Sequence, residues 1–208
     1  MKRQKTIVAV ISAALALASC ANDTSETAPT EEWDLEATPQ EVTWTTGPAG
    51  LSYPVSEISG PMTTSPVPHG WTADPQGAVL AAMTSQVFLS GADDTLWPTV
   101  AQTLIEPGPG RDQWAQARAL VSVEGTLDQA PVMRGFQIHD FSETHALVTI
   151  AARWPDGTVA GLPVQLSRSQ GDWRVVLPTQ DQAPDLTQLN DEQLATFTTF
   201  TPAEETAS

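Results

Sequence analysis

The chain has a single cysteine among its 208 residues, Cys20, placed directly behind Leu17-Ala18-Ser19. A domain downstream of that position has no disulfide available and must be held by its core alone. Lys2, Arg3 and Lys5 come first, followed by an apolar run from Ile7 to Ala18. A positive start, a short apolar stretch and small residues before a break form the pattern of a secretory signal. The run holds about a dozen residues, short of the roughly 20 that span a bilayer. Leu-Ala-Ser-Cys matches the bacterial lipobox, where a signal peptidase cuts ahead of a lipid-modified cysteine. The expectation is a lipoprotein signal peptide over residues 1–19 and a lipid on Cys20, which holds the protein on the extracytoplasmic face of the cell membrane. An ordinary secretory signal with a leftover cysteine, or an uncleaved signal anchor, are the alternatives. One acyl chain binds a membrane only marginally, whereas a diacyl group anchors stably.

Charge reinforces the lipid reading. Of nine Lys and Arg, three lie ahead of Cys20; the remaining six, all arginine, face 25 Asp and Glu, a net charge of −19 for the mature chain. Such a chain repels nucleic acid and anionic headgroups, so a nucleic-acid partner is not expected and the membrane is reached through lipid. Three histidines and no further cysteine leave little material for zinc or copper, and neither a metal nor a cofactor is expected.

The acids are unevenly spread. Asp23, Glu26, Glu31, Glu32, Asp34, Glu36 and Glu41 fall in a stretch without any base, mixed with Thr, Ser, Pro and Ala. Low hydrophobicity with high charge cannot bury enough surface to order a chain. Residues 20–43 therefore read as an acidic tether, 44–200 as one domain, and 201–208 as a polar tail.

Within the domain, Gly47-Pro48, Gly50, Pro54, Gly60-Pro61, Pro66, Pro68 and Gly70 predict an extended, wrapping segment with at most short strands. A helix then has clear ends, with Asp74 at its N-cap, Pro75 at its first position and Gly91 just past its last. Val79, Leu80, Met83, Val87 and Phe88 recur inside it at helical spacing. Asp93 or Asp94 predicts the cap of a second helix running to about Ile105. Pro107-Gly108-Pro109-Gly110 breaks the chain before a third, from Arg111 to Leu120. Strands follow over Val132–Phe141, Thr144–Trp154 and Val159–Arg168, with turns at Pro155-Asp156-Gly157 and Gln170-Gly171-Asp172. A short helix near Asn190–Phe197 closes the pattern.

Helices first and an antiparallel meander after predict an α+β fold, three N-terminal helices packed on one face of a curved antiparallel sheet. That order, with Gly171-Asp172-Trp173-Arg174-Val175 leading into a last strand, resembles the cone-shaped nuclear transport factor 2-like (cystatin-like) superfold. At family level, Gly70-Trp71, Pro75-Gln76-Gly77-Ala78, Pro107-Gly108-Pro109-Gly110-Arg111, Arg153-Trp154-Pro155-Asp156-Gly157 and Gly171-Asp172-Trp173-Arg174 resemble an actinobacterial domain family of unknown function. The resemblance implies an envelope-side accessory of conjugative or integrative elements, with a protein partner in the envelope. It supplies no catalytic residues.

Chemical candidates are few. His139, Asp140, Glu143 and His145 form the densest polar cluster, but neighbours on a strand point to opposite faces and do not converge. Asp140 shares strand parity with Phe136 and Ile138. It would face the interior of a cone, where a lone carboxylate is a fair base for an isomerase-like reaction. Arg134, Arg153, Arg168 and Arg174 all fall in the sheet region, where they either pair across strands or gather as one positive patch for an acidic partner. Trp71, Trp97, Trp114, Trp154 and Trp173 lie on apolar faces and read as core. Trp33 and Trp44 are the better probes of a partner, or of a cell-wall carbohydrate. The reading that best unites these features is a lipid-anchored, non-enzymatic scaffold or binding module. A small-molecule binder using the cone cavity is the alternative, and a carbohydrate binder a weaker one.

Overall fold

The computed structural model describes residues 33–184 and 186–202. Cys20, Leu17, Ala18 and Ser19 lie outside them, as does the expected tail from residue 203. The first regular elements are strands. Val42–Thr46 (β1) and Ser52–Ser56 (β2) pair antiparallel around a 3-10 turn at Pro48–Gly50. Pro54 is accommodated because this two-stranded sheet leaves the outer side of β2 without a ladder partner. The short strands of this wrapping segment are thus paired as a hairpin.

Pro75–Gly91 forms α1, and the Asp74 carboxylate accepts the Gly77 N–H at 2.7 Å as its N-cap. Two shorter helices follow, Trp97–Leu104 (α2) and Pro109–Arg118 (α3). Val132–Ser142 (β3), His145–Arg153 (β4), Val159–Ser167 (β5) and the two-residue Arg174–Val175 (β6) then meander antiparallel. Thr187–Gln188 (β7) pairs with β5, Asp191–Leu194 is α4, and Thr198–Thr199 (β8) pairs with the far edge of β3. The six-stranded sheet runs β6-β5-β4-β3-β8, with β7 beside β5.

The expected cone with three helices on a curved sheet is overturned: the protein is sheet-rich, with two antiparallel sheets and short helices. Among the helices, α1 alone lies across β3, β4, β5 and β6; α2 reaches the small β6, and α3 packs on α2. The reason is visible in α1 itself. Residues Ala78–Met83 are fully buried, and a helix apolar on every side must be covered on every side. The sheet covers one flank, β2 and the Pro48–Gly50 turn another, and α2 a third. No face is left on which α2 and α3 could complete a three-helix layer.

The core joins α1 to the inner face of the sheet, where Phe136, Val148, Ile150, Val164, Leu166 and Trp173 are all buried. Pro163 is tolerated in β5 because it falls between the β7 pairing at Ala160–Gly161 and the β6 pairing at Leu166–Ser167, where no neighbour needs its missing N–H. From β7 to β8 the chain crosses between the β5 and β3 sides of the sheet. Two glycines admit it closely: a Cβ on Gly135 would stand 2.4 Å from the Thr198 carbonyl oxygen, and one on Gly161 would meet Leu189 at 3.6 Å.

The expected tether also ends earlier than 43. Residues 33–43 lie against the domain: Gln76 Nε2 donates to the carbonyls of Asp34 and Ala37, Thr198 Oγ1 donates to that of Glu36, and the Trp33 ring meets Phe141 edge-on at 5.4 Å. Acidity hides these contacts in the average composition: Leu35 and Val42 pack against the core, and Trp33 packs on Phe141.

Candidate functional site: a cleft at the end of the first helix

Asp140 does not enter the interior. β3 carries a bulge between Ile138 and Asp140, with Ile138 opposite Val148 and Asp140 opposite Leu147. One extra residue reverses the faces of everything beyond it. Phe141 therefore turns inward, its ring 6.0 Å from Trp173, and Asp140 turns outward. There its Oδ2 stands 2.7 Å from His145 Nε2, and both side chains are about half exposed. Ser142 Oγ lies 3.3 Å from His145 Nδ1 but also accepts the backbone N–H groups of Thr144 and His145, so this hydroxyl closes the turn. His139 bonds Thr149 Oγ1 at 2.8 Å. The cluster is a stapled hairpin end on an open face, without the enclosure that would activate a base.

Nor does Asp140 line the space under the first helix. Between α1 and the sheet remains a cavity of about 110 Å³ lined by Val87, Met133, Ile150, Trp154 and Leu162 among others, and Asp140 is not part of it.

The four sheet arginines do not form one patch. Arg153 stands at the end of β4 that pairs with Val159, whereas His145 at the other end pairs with Ser167, next to Arg168. Eight residues of strand separate the ends by roughly 26 Å. Arg134 lies on β3 at the Arg153 end, and Arg174 pairs with Ser167 at the other. Arg168 donates to the Gly171 carbonyl and lies over the Trp173 ring; Arg174 donates to the Gln102 carbonyl at 3.0 Å. The tryptophans are structural too. Trp173 and Trp71 are buried, Trp97 and Trp114 meet edge-on, and Trp44 packs against Phe200 at 5.4 Å.

Several clefts mark the surface of the described residues, and one of them is lined by residues that the sequence did not single out as a site. A cleft of about 410 Å³ opens where α1 ends, between the β1–β2 turn and the start of α2. Its walls include Gly47, Pro48, Tyr53, Phe88, Gly91 and Asp93. Two close approaches build it. A Cβ on Gly91 would stand 2.7 Å from the Pro48 carbonyl oxygen, and one on Gly47 would press on the Tyr53 ring at 3.0 Å. Ala49, also on the wall, holds φ +54°, a left-handed conformation unusual for a residue with a side chain. Tyr53 is buried and edge-on to Phe88 at 5.4 Å. Its burial raises the phenol's pKa, so the hydroxyl stays protonated. Asp93 accepts at Oδ1 from the Thr95 hydroxyl and from the N–H groups of Thr95 and Leu96. The Thr95 hydroxyl, then the two backbone donors, hold its carboxyl below the usual aspartate value. The signal available in the sequence was the adjacency of a helix stop at Gly91 to Asp93; the Gly47-Pro48 wall is remote and could not be joined to it.

Next to the cleft, Arg118 is the one buried charge among the described residues. Its Nη2 donates to Asp94 at 3.0 Å and to the Ala92 carbonyl at 2.8 Å, and its Nη1 to the Val121 carbonyl. This locks the end of α3 to the segment that follows α1.

Among the described residues no group of three or more His, Asp and Glu could hold a metal ion, and no helix is long and apolar enough to cross a membrane. Neither a curated protein nor a solved structure matches the chain. A sequence model of one family, described as a domain of unknown function (DUF8175), matches residues 10–199. With nearly the whole described domain inside that match, the chain belongs to the DUF8175 family.

Proposed function

We propose that the protein is a lipid-anchored extracytoplasmic module of binding or scaffold type. The observation that carries this is Leu17-Ala18-Ser19-Cys20 behind Lys2, Arg3, Lys5 and a short apolar run. Charge supports it: a mature chain with no lysine and a net charge of −19 has no electrostatic hold on an anionic membrane, so attachment falls to the lipid. The open placement of Asp140 and His145 favours a binding role over catalysis. The implied association with conjugative elements of actinobacteria makes a component of a transfer apparatus in the envelope the first partner to seek.

Fractionation of cells that express the wild type and Cys20→Ser tests the anchor. The wild type sediments with membranes and the variant appears in the soluble extracytoplasmic fraction. Retention of the variant on membranes would remove the lipid from the account. Crosslinking in intact cells then tests the partner, and a deletion strain with unchanged transfer frequency would set the conjugative reading aside.

A further inference from the structure

Three of the six large apolar side chains exposed among the described residues fall in one short stretch: Leu120 at 87%, Val121 at 57% and Leu127 at 51%. Exposed apolar residues scattered singly are ordinary, whereas a cluster of them marks an interaction surface. The backbone that carries these three is held in place. Arg118 Nη1 donates to the Val121 carbonyl, while its Nη2 ties Asp94 and the Ala92 carbonyl. The Asp94 carboxylate in turn accepts the Ser122 hydroxyl at 2.6 Å and the Val123 N–H at 3.3 Å. Further along, the Leu127 N–H donates to the Ala49 carbonyl at 3.0 Å. A buried guanidinium thus fixes a segment whose apolar side chains are left to solvent. Ordering a surface before it binds lowers the entropy lost when a partner arrives. Beside Leu120 and Val121 lies a cleft of about 310 Å³ with Trp97 and Asp94 on its walls.

Charge decides what fits there. Asp93, Glu124 and Asp128 are exposed on or next to this stretch. No lysine or arginine falls in residues 92–110 or 119–133, and Arg118 is buried and bonded. A second copy docked face to face would set these acids against themselves. The chain's own acidic ends, which hold Glu31, Glu32, Glu204 and Glu205, carry the same sign. We propose that the Leu120–Leu127 surface docks a protein partner through a basic amphipathic segment. The partner's apolar side chains cover Leu120, Val121 and Leu127, and its Lys or Arg residues face Asp93, Glu124 and Asp128. This rests on the reading of the protein as a binding module and gives the partner its chemistry.

Photocrosslinking of the full chain in intact cells tests the surface, with p-benzoylphenylalanine in place of Leu120 or, as the control, of Met62, an exposed side chain elsewhere. Position 120 is expected to give at least about fivefold more product, joined to a partner segment in which Lys or Arg flanks apolar residues. Glu124→Lys with Asp128→Lys should lower that yield at least about fivefold. The same reversal on the β3–β4 turn and in α4, Glu143→Lys with Glu192→Lys, should leave it within about twofold. Equal loss in both double variants would reveal attraction to bulk charge and overturn the proposal. So would a product with a second copy, a partner segment without Lys or Arg, or no product from position 120. Product from position 62 alone would overturn this surface while the binding reading stands, and fractionation of Cys20→Ser tests the anchor separately.

Discussion

The carboxylate of Asp172 accepts the backbone N–H of Trp71 at 3.1 Å, across 101 residues of sequence. It also takes the N–H of Gly70 at 2.6 Å and that of Trp173 at 2.8 Å. Trp173 answers in the other direction, its Nε1 donating to the Thr72 carbonyl at 2.8 Å. Two separated motifs, Gly70-Trp71 and Gly171-Asp172-Trp173, are therefore one structural device: a charged acceptor that clasps the entry to α1 against the last turn of the meander. Asp172→Ala would strand backbone donors in a part-buried setting and should destabilise the fold by about 3 kcal/mol, while Asp172→Asn, with an oxygen still present, should lose less. Urea unfolding followed by tryptophan fluorescence measures both. Equal stability of wild type and the alanine variant would show the clasp to be incidental.

Gly77 sits in the first turn of α1, against the same Thr72 carbonyl. Alanine there would raise helix propensity by about 1 kcal/mol. Its Cβ, however, would stand 2.2 Å from that oxygen, which is backbone and also receives Trp173 Nε1. The clash should win, with Gly77→Ala losing about 1–3 kcal/mol in net stability. A stabilised variant in thermal unfolding would mean that the entry to α1 moves freely.

Acid should weaken the protein in a defined window. Three exposed aspartates are held below the usual value of 3.8: Asp93 chiefly by the Thr95 hydroxyl, Asp94 by the Ser122 hydroxyl and then Arg118, and Asp156 by the Thr158 N–H. A carboxylate with a folded pKa below its unfolded one binds protons more readily when unfolded. Its contribution is complete above 3.8 and is lost as pH falls through the lowered folded value. Urea midpoints should therefore hold from neutral pH to about 4 and decline below. Asp94→Asn should flatten part of that decline. A slope unchanged by that variant would place the acid sensitivity elsewhere.

Asp140→Ala should change stability by less than about 1 kcal/mol, since the His145 pair is half exposed and screened. A larger loss, read from the same urea curves, would mean that the hairpin end is held by this pair and not by Ser142 and the strand ladder.

What was legible in the sequence was local. Asp74, Pro75 and Gly91 announce α1 because caps and breakers act within a turn of the residue that carries them. The strands of the meander were equally plain, β4 and β5 being long and bounded by Pro155-Asp156-Gly157. The layer arrangement was not, because it depends on which surfaces cover Ala78–Met83, and alanine-rich helices carry no direction in their pattern. Asp140 was misplaced by one residue: strand parity predicts its face only where no bulge intervenes, and nothing in Ile138-His139-Asp140 marks one. The two-residue β7 and β8 exist through pairing with distant strands and leave no periodicity to read. The cleft joins Tyr53 to Asp93 for the same reason of distance.

The central claim is that Cys20 is the first residue of the mature protein and carries the lipid. Intact mass measurement of protein purified from its membrane fraction tests this most directly, followed by fragmentation of the N-terminal peptide. The account predicts a chain that begins at Cys20, heavier than the peptide mass by a diacylglyceryl group carried on that cysteine. A chain that retains Met1–Ser19, or one cut elsewhere with Cys20 unmodified, would contradict it.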